Sequence, residues 1–259
     1  MNDSLIETAK ARIQAASDMA ARYTGAPLHV MISGGKDSSV LQQLAIESGV
    51  ACVFIHSLTT VDAPETIKFI REEIKRLRDM GFPAEIRKPE KSMWQLIIDN
   101  NGMPPMRIRR YCCKHLKEKP ILLDNGKKAF IATGVRWSES SKRKSRAPYE
   151  VIASDQKNAV RVQDDELILA NDNALNRKLF EDCRLKGPRV VNPIIDWPDD
   201  DVWSFIRDRK LPYNPLYDEG FRRVGCIGCP MKSKAERARD FERWPGYKAA
   251  YIRALDAGI

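Results

Sequence analysis

The segment Ser33-Gly34-Gly35-Lys36-Asp37-Ser38 constrains this chain more than any other. Pro27 to Ser33 before it is an apolar run that reads as a buried strand. Ser38 to Glu47 after it reads as a helix, with Val40, Leu41 and Leu44 on one face. A strand that ends in two glycines and opens a helix aims successive backbone N–H groups into one concavity, and the helix dipole adds positive potential there. Lys36 brings a full charge, and Ser33 and Ser38 bring short hydroxyl donors. Asp37 is suited to Mg²⁺ or to the helix N-terminus rather than to phosphate itself. The pattern predicts a phosphate cradle. It is not a Walker A loop, whose first glycine falls where this chain has Val30.

The surrounding chain alternates strands with helices. Residues 3–23 read as an amphipathic helix, with Leu5, Ile6, Ala9, Ile13, Ala16, Met19 and Ala20 near helical spacing. Val50 to His56 is a second buried strand, and Pro64 to Met80 a helix with Ile67, Ile70, Ile74 and Leu77 inward. Ala84 to Arg87 and Lys128 to Val135 are further strands, the latter turning at Gly134. This order predicts an α/β fold, a doubly wound and mostly parallel sheet with helices on both faces. Residues 138–189 read as polar loops with a short hairpin at 149–162, and residues 199–209 as a helix capped by Asp199. The expected organisation is an N-terminal helix (1–24), a nucleotide-binding domain (25–230) and a tail (231–259) of two helices broken at Pro245-Gly246.

Four of the six cysteines form tight pairs, Cys112-Cys113 and Cys226-Ile227-Gly228-Cys229. Four thiolates suit an iron–sulfur cluster or a structural Zn²⁺, and spacing alone does not choose between them. A metal-free dithiol at Cys226/Cys229 and four unrelated buried thiols are the competing readings. Cys52 and Cys183 stand alone and read as small buried hydrophobes.

The net charge of +9 is unevenly spread. Arg107, Arg109, Arg110, Lys114, Lys117 and Lys119 form one basic cluster, and Arg136, Lys142, Arg143, Lys144 and Arg146 another. Both flank the motifs above and suit a polyanion, either a nucleic-acid backbone or a nucleotide with several phosphates. No apolar run is long enough for a transmembrane helix, and the first residues lack a signal-peptide pattern, so a cytoplasmic location without membrane attachment is expected.

These motifs carry a resemblance. Ser33–Ser38 resembles the PP-loop of the adenine-nucleotide α-hydrolase superfamily, which holds the terminal pyrophosphate of ATP or its equivalent. Tyr111-Cys112-Cys113 followed by Lys117, with the later Gly-Cys-x-x-Cys, resembles the cluster-binding branch of PAPS/APS reductases and their relatives. Pro64-Glu65-Thr66, Thr133-Gly134-Val135-Arg136, Asn192–Trp197 with Asp201-Val202-Trp203, and Leu211–Tyr217 follow in the same family order. The resemblance implies a 4Fe–4S cluster at Cys112, Cys113, Cys226 and Cys229, with zinc as the alternative. It implies a nucleotide, ATP or PAPS with Mg²⁺, at Ser33, Gly34, Gly35, Lys36, Asp37, Ser38 and Gly134. Lys36, Asp37 and Arg136 take the catalytic roles, with Arg136 near the α-phosphate. Arg107, Arg109, Arg110, Lys117 and Arg143 are assigned to substrate or nucleic-acid phosphates.

One departure matters. Assimilatory sulfonucleotide reductases use a further cysteine, in a short C-terminal tail, as the nucleophile on sulfur. The stretch after Cys229 contains none, and the setting of Cys183 does not resemble that tail. The resemblance therefore implies first an ATP-dependent enzyme that adenylates a substrate, with nucleic acid as the expected acceptor, for sulfur transfer. DNA phosphorothioation proteins are its nearest analogy, and a cysteine desulfurase its partner. The alternatives are a PAPS or APS reductase working with thioredoxin, and a non-catalytic nucleotide- or cluster-binding subunit of a modification complex.

Overall fold

A computed structural model describes residues 3–121, 123–124, 127–151, 160–164 and 189–258. Helix α1 (Asp3–Thr24) buries Ile6, Ala9, Ile13, Ala16, Met19 and Ala20, the stripe read from its spacing. Strand β1 (Leu28–Met31) leads through the glycine turn into α2 (Lys36–Glu47), followed by β2 (Cys52–Ser57), α3 (Pro64–Asp79) and β3 (Ala84–Arg87). Pro64 opens α3 where its missing N–H costs nothing, and Arg76 and Arg78 close it against the negative end of the dipole. Helix α4 (Met93–Asp99) begins at Ser92, whose hydroxyl accepts the Gln95 N–H. A short turn, α5 (Tyr111–Cys113), continues as one π-helical turn over Lys114–Glu118.

A minor hairpin pairs β4 (Leu123–Asp124) with β5 (Lys127–Lys128). Then come β6 (Phe130–Ala132), β7 (Tyr149–Val151), β8 (Val160–Val162), β9 (Arg189–Val191), α6 (Asp199–Asp208), α7 (Lys234–Arg243) and α8 (Pro245–Asp256). Ser233 and Glu236 form a capping box at the start of α7.

The main sheet has seven strands in the order β3-β2-β1-β6-β9-β7-β8. From β3 to β9 every pairing is parallel, while β7 runs antiparallel to both β9 and β8. The expected parallel α/β sheet flanked by helices is present, and the expected hairpin is its antiparallel edge. The principal core joins α1, α2 and α3 to the strands and to Val202, Phe205 and Ile206 of α6, so α1 belongs to the same packed unit as the sheet.

The chain winds outward from β1 to β3 and then returns to β6 on the other side of β1. The loops after β1 and β6 therefore leave the sheet side by side at a topological switch point, where open α/β sheets place ligands. One local expectation is corrected. Asp199 does not cap α6: Pro198 takes the cap position without a side-chain bond, and the Asp199 carboxylate turns to Lys36 and Arg136 instead.

Candidate functional site

The turn after β1 requires its glycines. Gly34 has φ +77°, and a Cβ there would lie 2.9 Å from Thr66 Cγ2 on α3. Gly35 takes the cap position of α2 and offers no side chain to its first turn. Ser38 Oγ donates to the Gly35 carbonyl at 2.8 Å and accepts from the Ser33 N–H at 3.1 Å. The Lys36 N–H donates to the Tyr217 hydroxyl at 2.9 Å, which places a polar oxygen where an anion would bind a helix N-terminus. Burial pushes the Tyr217 phenol up to about 12, so it is a neutral hydroxyl.

The charged side chains form a closed group. Lys36 Nζ lies 3.1 Å from Asp37 Oδ1 and 2.8 Å from Asp199 Oδ1. Arg136 reaches the same two oxygens at 2.7 Å each, through Nε and Nη2. Its Nη1 donates to Ser138 Oγ at 2.7 Å and to the Trp197 carbonyl at 3.0 Å. Arg136 is only 1 % exposed and its partners are distributed around the guanidinium, so it ties the β6 turn to α2 and α6. Partial burial raises the Asp199 carboxyl, but the hydrogen bonds from Lys36 and Arg136 outweigh this and hold it below the ordinary carboxylate range.

Gly134 permits this closeness. A Cβ on it would stand 3.0 Å from the carbonyl carbon and oxygen of Asp37 and 3.2 Å from the Ser38 nitrogen. Thr133 beside it is fixed by its N–H to the Val191 carbonyl at 2.9 Å and by its hydroxyl to Asn192 Oδ1 at 2.6 Å.

Cys112, Cys113 and Cys226 of the two cysteine pairs share one hydrophobic cluster. Cys112 is buried with Val61, Ile97, Leu116 and Ala254, and Cys113, Cys226, Tyr247 and Tyr251 pack against that group. Gly228 turns the second pair inward with φ +69°, where a Cβ would meet the Phe241 ring at 2.7 Å. The buried Asp240 accepts the Gly228 N–H at 2.9 Å and is neutralised by Lys232 at 2.7 Å. The Ile227 N–H donates to the Val61 carbonyl at 2.8 Å.

The thiols act on one another. The hydrogen bond with Cys113, then burial, push the Cys112 thiol up, and Cys226 and Cys229 add to this. The same hydrogen bond, helped by Lys117 and Arg110 and opposed by burial, lowers Cys113. Cys226 foremost, then Cys113 and Asp62, keep the Lys117 ammonium protonated. Paired thiols, an apolar shell and adjacent cations suit a thiolate-bound metal centre in donor chemistry. Among the described residues, however, no group of three or more His, Cys, Asp or Glu is arranged to hold a metal ion. Cys52 is buried and its thiol is pushed up to about 11, as suits a packing residue, and Cys183 lies outside the described residues.

Several of the basic residues also hold the structure together. Arg107 donates to the Pro230 and Lys232 carbonyls at 3.1 and 3.3 Å, strapping the segment before the first pair to the segment after the second. Arg109 reaches Asn100 at 3.2 Å, and Lys119 pairs with Glu90. Arg143 pairs with Glu139, and Arg146 with Glu150. Burial lowers Arg143 to about 10, and the nearby charges of Arg223, Arg146 and Arg136 add to this. Asp199 and Tyr217 are the site residues that sequence reasoning missed. Tyr217 lay within the quoted Leu211–Tyr217 segment, but nothing in its spacing ties it to Lys36.

Residues 27–232 match the phosphoadenosine phosphosulfate reductase domain family. An uncharacterised protein of Methanocaldococcus jannaschii is 28% identical over 222 residues, covering 84% of this chain and 45% of that protein. A second protein of that organism is likewise matched over 43% of its length, so the chain spans less than half of these relatives. Among solved structures, a phosphoadenylyl-sulfate reductase from Candida auris has a TM-score of 0.51 at 17% identity, covering 87% of this chain and 95% of that one. The U34-tRNA thiolase NcsA from Methanococcus maripaludis, solved with its 4Fe–4S cluster, has a TM-score of 0.52 at 14% identity, covering 98% and 80%. Both share the fold.

Proposed function

The chain belongs to the phosphoadenosine phosphosulfate reductase domain family, and we propose that within it the protein binds ATP at Ser33–Ser38 and adenylates an acceptor for sulfur transfer. One observation carries this reading above the others. Asp37 stands in the cradle 3.1 Å from Lys36 Nζ, and a carboxylate beside a phosphate site suits the divalent cation that accompanies a triphosphate. Adenylation uses such a metal–triphosphate complex.

In this mechanism the N–H groups of Gly34, Gly35 and Ser38 and the Lys36 ammonium hold the β- and γ-phosphates of ATP. Asp37 faces the divalent cation that accompanies them. Arg136 keeps Asp37 in place and supplies positive potential beside the α-phosphate. An acceptor oxygen attacks the α-phosphorus, the bond to the β-phosphate oxygen breaks, and pyrophosphate leaves. Positioning and charge neutralisation supply the catalysis. The terminal sulfur of a cysteine-desulfurase persulfide then attacks the atom that carries the adenylated oxygen, AMP leaves with that oxygen, and a second thiol reduces the resulting disulfide to release the thiolated product. Cys112, Cys113, Cys226 and Cys229 would hold a 4Fe–4S cluster, which would supply a site for binding sulfur. The acceptor class is nucleic acid. The exposed Arg109, Arg110, Lys114 and Lys119 support this, as does the fold shared with a tRNA thiolase.

The test is product analysis. Anaerobically purified protein is incubated with Mg²⁺-ATP and either total tRNA or fragmented genomic DNA, and AMP and pyrophosphate are quantified. Stimulated release with one acceptor, abolished in Lys36→Ala, is expected; equal turnover by Lys36→Ala would refute the cradle. A second reading, a sulfonucleotide reductase, has the family itself in its favour, and it predicts sulfite instead.

A further inference from the structure

A phosphate site should present its cations bare, yet Asp199 holds both of those in this cradle. Its Oδ1 lies 2.8 Å from Lys36 Nζ and 2.7 Å from Arg136 Nη2. Asp37 Oδ1 accepts the same pair, at 3.1 Å and 2.7 Å. Lys36 Nζ therefore sits between two carboxylate oxygens, as a cation bound by both, and the charges of the group cancel without any ligand. Asp199 comes from a different element, α6, and does not serve its own helix as a cap. Its side chain is 57% exposed while those of Lys36 and Arg136 are nearly covered, so it is the member of the group that faces entering solvent.

The cations differ in what they can do next. Arg136 is buried and anchored by Ser138 and the Trp197 carbonyl, so it stays. Lys36 has a flexible stem and rotatable donors, so it can turn to a phosphate. That movement leaves two carboxylates facing an incoming polyanion. A bare anion is repelled by them, whereas a polyphosphate that carries a divalent cation replaces the charge that Lys36 withdrew.

We propose that Asp199 is a specificity-determining residue: with Asp37 it selects nucleotides that arrive as divalent-cation complexes and disfavours metal-free anions such as adenylyl sulfate. This rests on the ATP reading above and explains why a fold shared with sulfonucleotide enzymes would prefer a triphosphate here.

The experiment is calorimetric titration of the full chain with ATP, with and without magnesium chloride, and with metal-free adenylyl sulfate. Wild type, Asp199→Asn and Asp199→Glu are compared, after thermal melts establish that each is folded. Magnesium should tighten ATP binding to wild type by about tenfold or more. Asp199→Asn should lose most of that response and bind adenylyl sulfate about tenfold more tightly, and Asp199→Glu should restore the metal response. A wild-type metal response in Asp199→Asn, with unchanged adenylyl sulfate affinity, overturns the proposal. If wild type binds adenylyl sulfate and never ATP, the ATP reading fails, yet tighter adenylyl sulfate binding by Asp199→Asn still supports the role of this residue.

Discussion

Gly134 stands directly against the backbone of Asp37, close enough that a Cβ would lie 3.0 Å from its carbonyl carbon and oxygen. The turn after β6 and the first turn of α2 are in contact through that missing side chain. Gly134→Ala must push the two loops apart, at a cost of about 1–3 kcal/mol for inserting one methyl group into packed structure. Urea denaturation should show that loss, and nucleotide titration should show a larger one, because the displaced backbone carries the phosphate donors. Nucleotide affinity equal to wild type would mean that the loops tolerate separation.

Arg136 serves Asp37, Asp199, Ser138 and the Trp197 carbonyl at once. A lysine has the charge but not the planar fork. Arg136→Lys should therefore leave acceptors unmet and lower stability by about 2–3 kcal/mol. The measurement is chemical denaturation without nucleotide. A variant as stable as wild type would show that the ammonium reaches enough of these partners.

The quartet should load iron. Anaerobic purification or reconstitution should yield about four iron per chain with the brown colour of a 4Fe–4S protein. Cys112→Ser and Cys226→Ser should lose it, and Cys52→Ser should keep it. Gly228→Ala should also reduce iron content, since its Cβ would meet Phe241 and its φ is +69°. Stoichiometric zinc in the wild-type protein would contradict the cluster assignment.

The Asp199 pair should leave a pH signature. A carboxylate whose folded pKa is depressed contributes stability that is present above its unfolded value, about 3.9, and lost as pH falls through the folded one. The stability gap between wild type and Asp199→Asn should be constant near neutrality and close as pH drops below about 4. It should also shrink with salt, because the carboxylate is more than half exposed. Urea midpoints across pH, at low and high salt, provide the check.

What was legible in the chain was what is contiguous. Strand, glycine turn and helix follow one another from Leu28 to Glu47, so the cradle was readable from residue order. The cysteine pairs were readable because each is local, and the hairpin of β7 and β8 because its polar connection set it apart. Helix α4 and strand β9 were not anticipated, since seven and three residues are too short for periodicity to declare itself. Asp199 looked like a cap because an acid at a helix start usually is one. Its actual partners lie on other elements, as does Lys36 for Tyr217, across 181 residues of sequence. Sequence adjacency did not give the partners of the basic residues, such as the Pro230 carbonyl for Arg107 and Asp37 for Arg136.

ATP-dependent activation and sulfonucleotide reduction at this PP-loop are separated most directly by sulfite release from adenylyl sulfate and from its 3′-phosphorylated form, using cluster-loaded protein with reduced thioredoxin. The proposed activation predicts no sulfite above the protein-free control under conditions in which Mg²⁺-ATP binds. Sustained, thioredoxin-dependent sulfite release from either compound would contradict it.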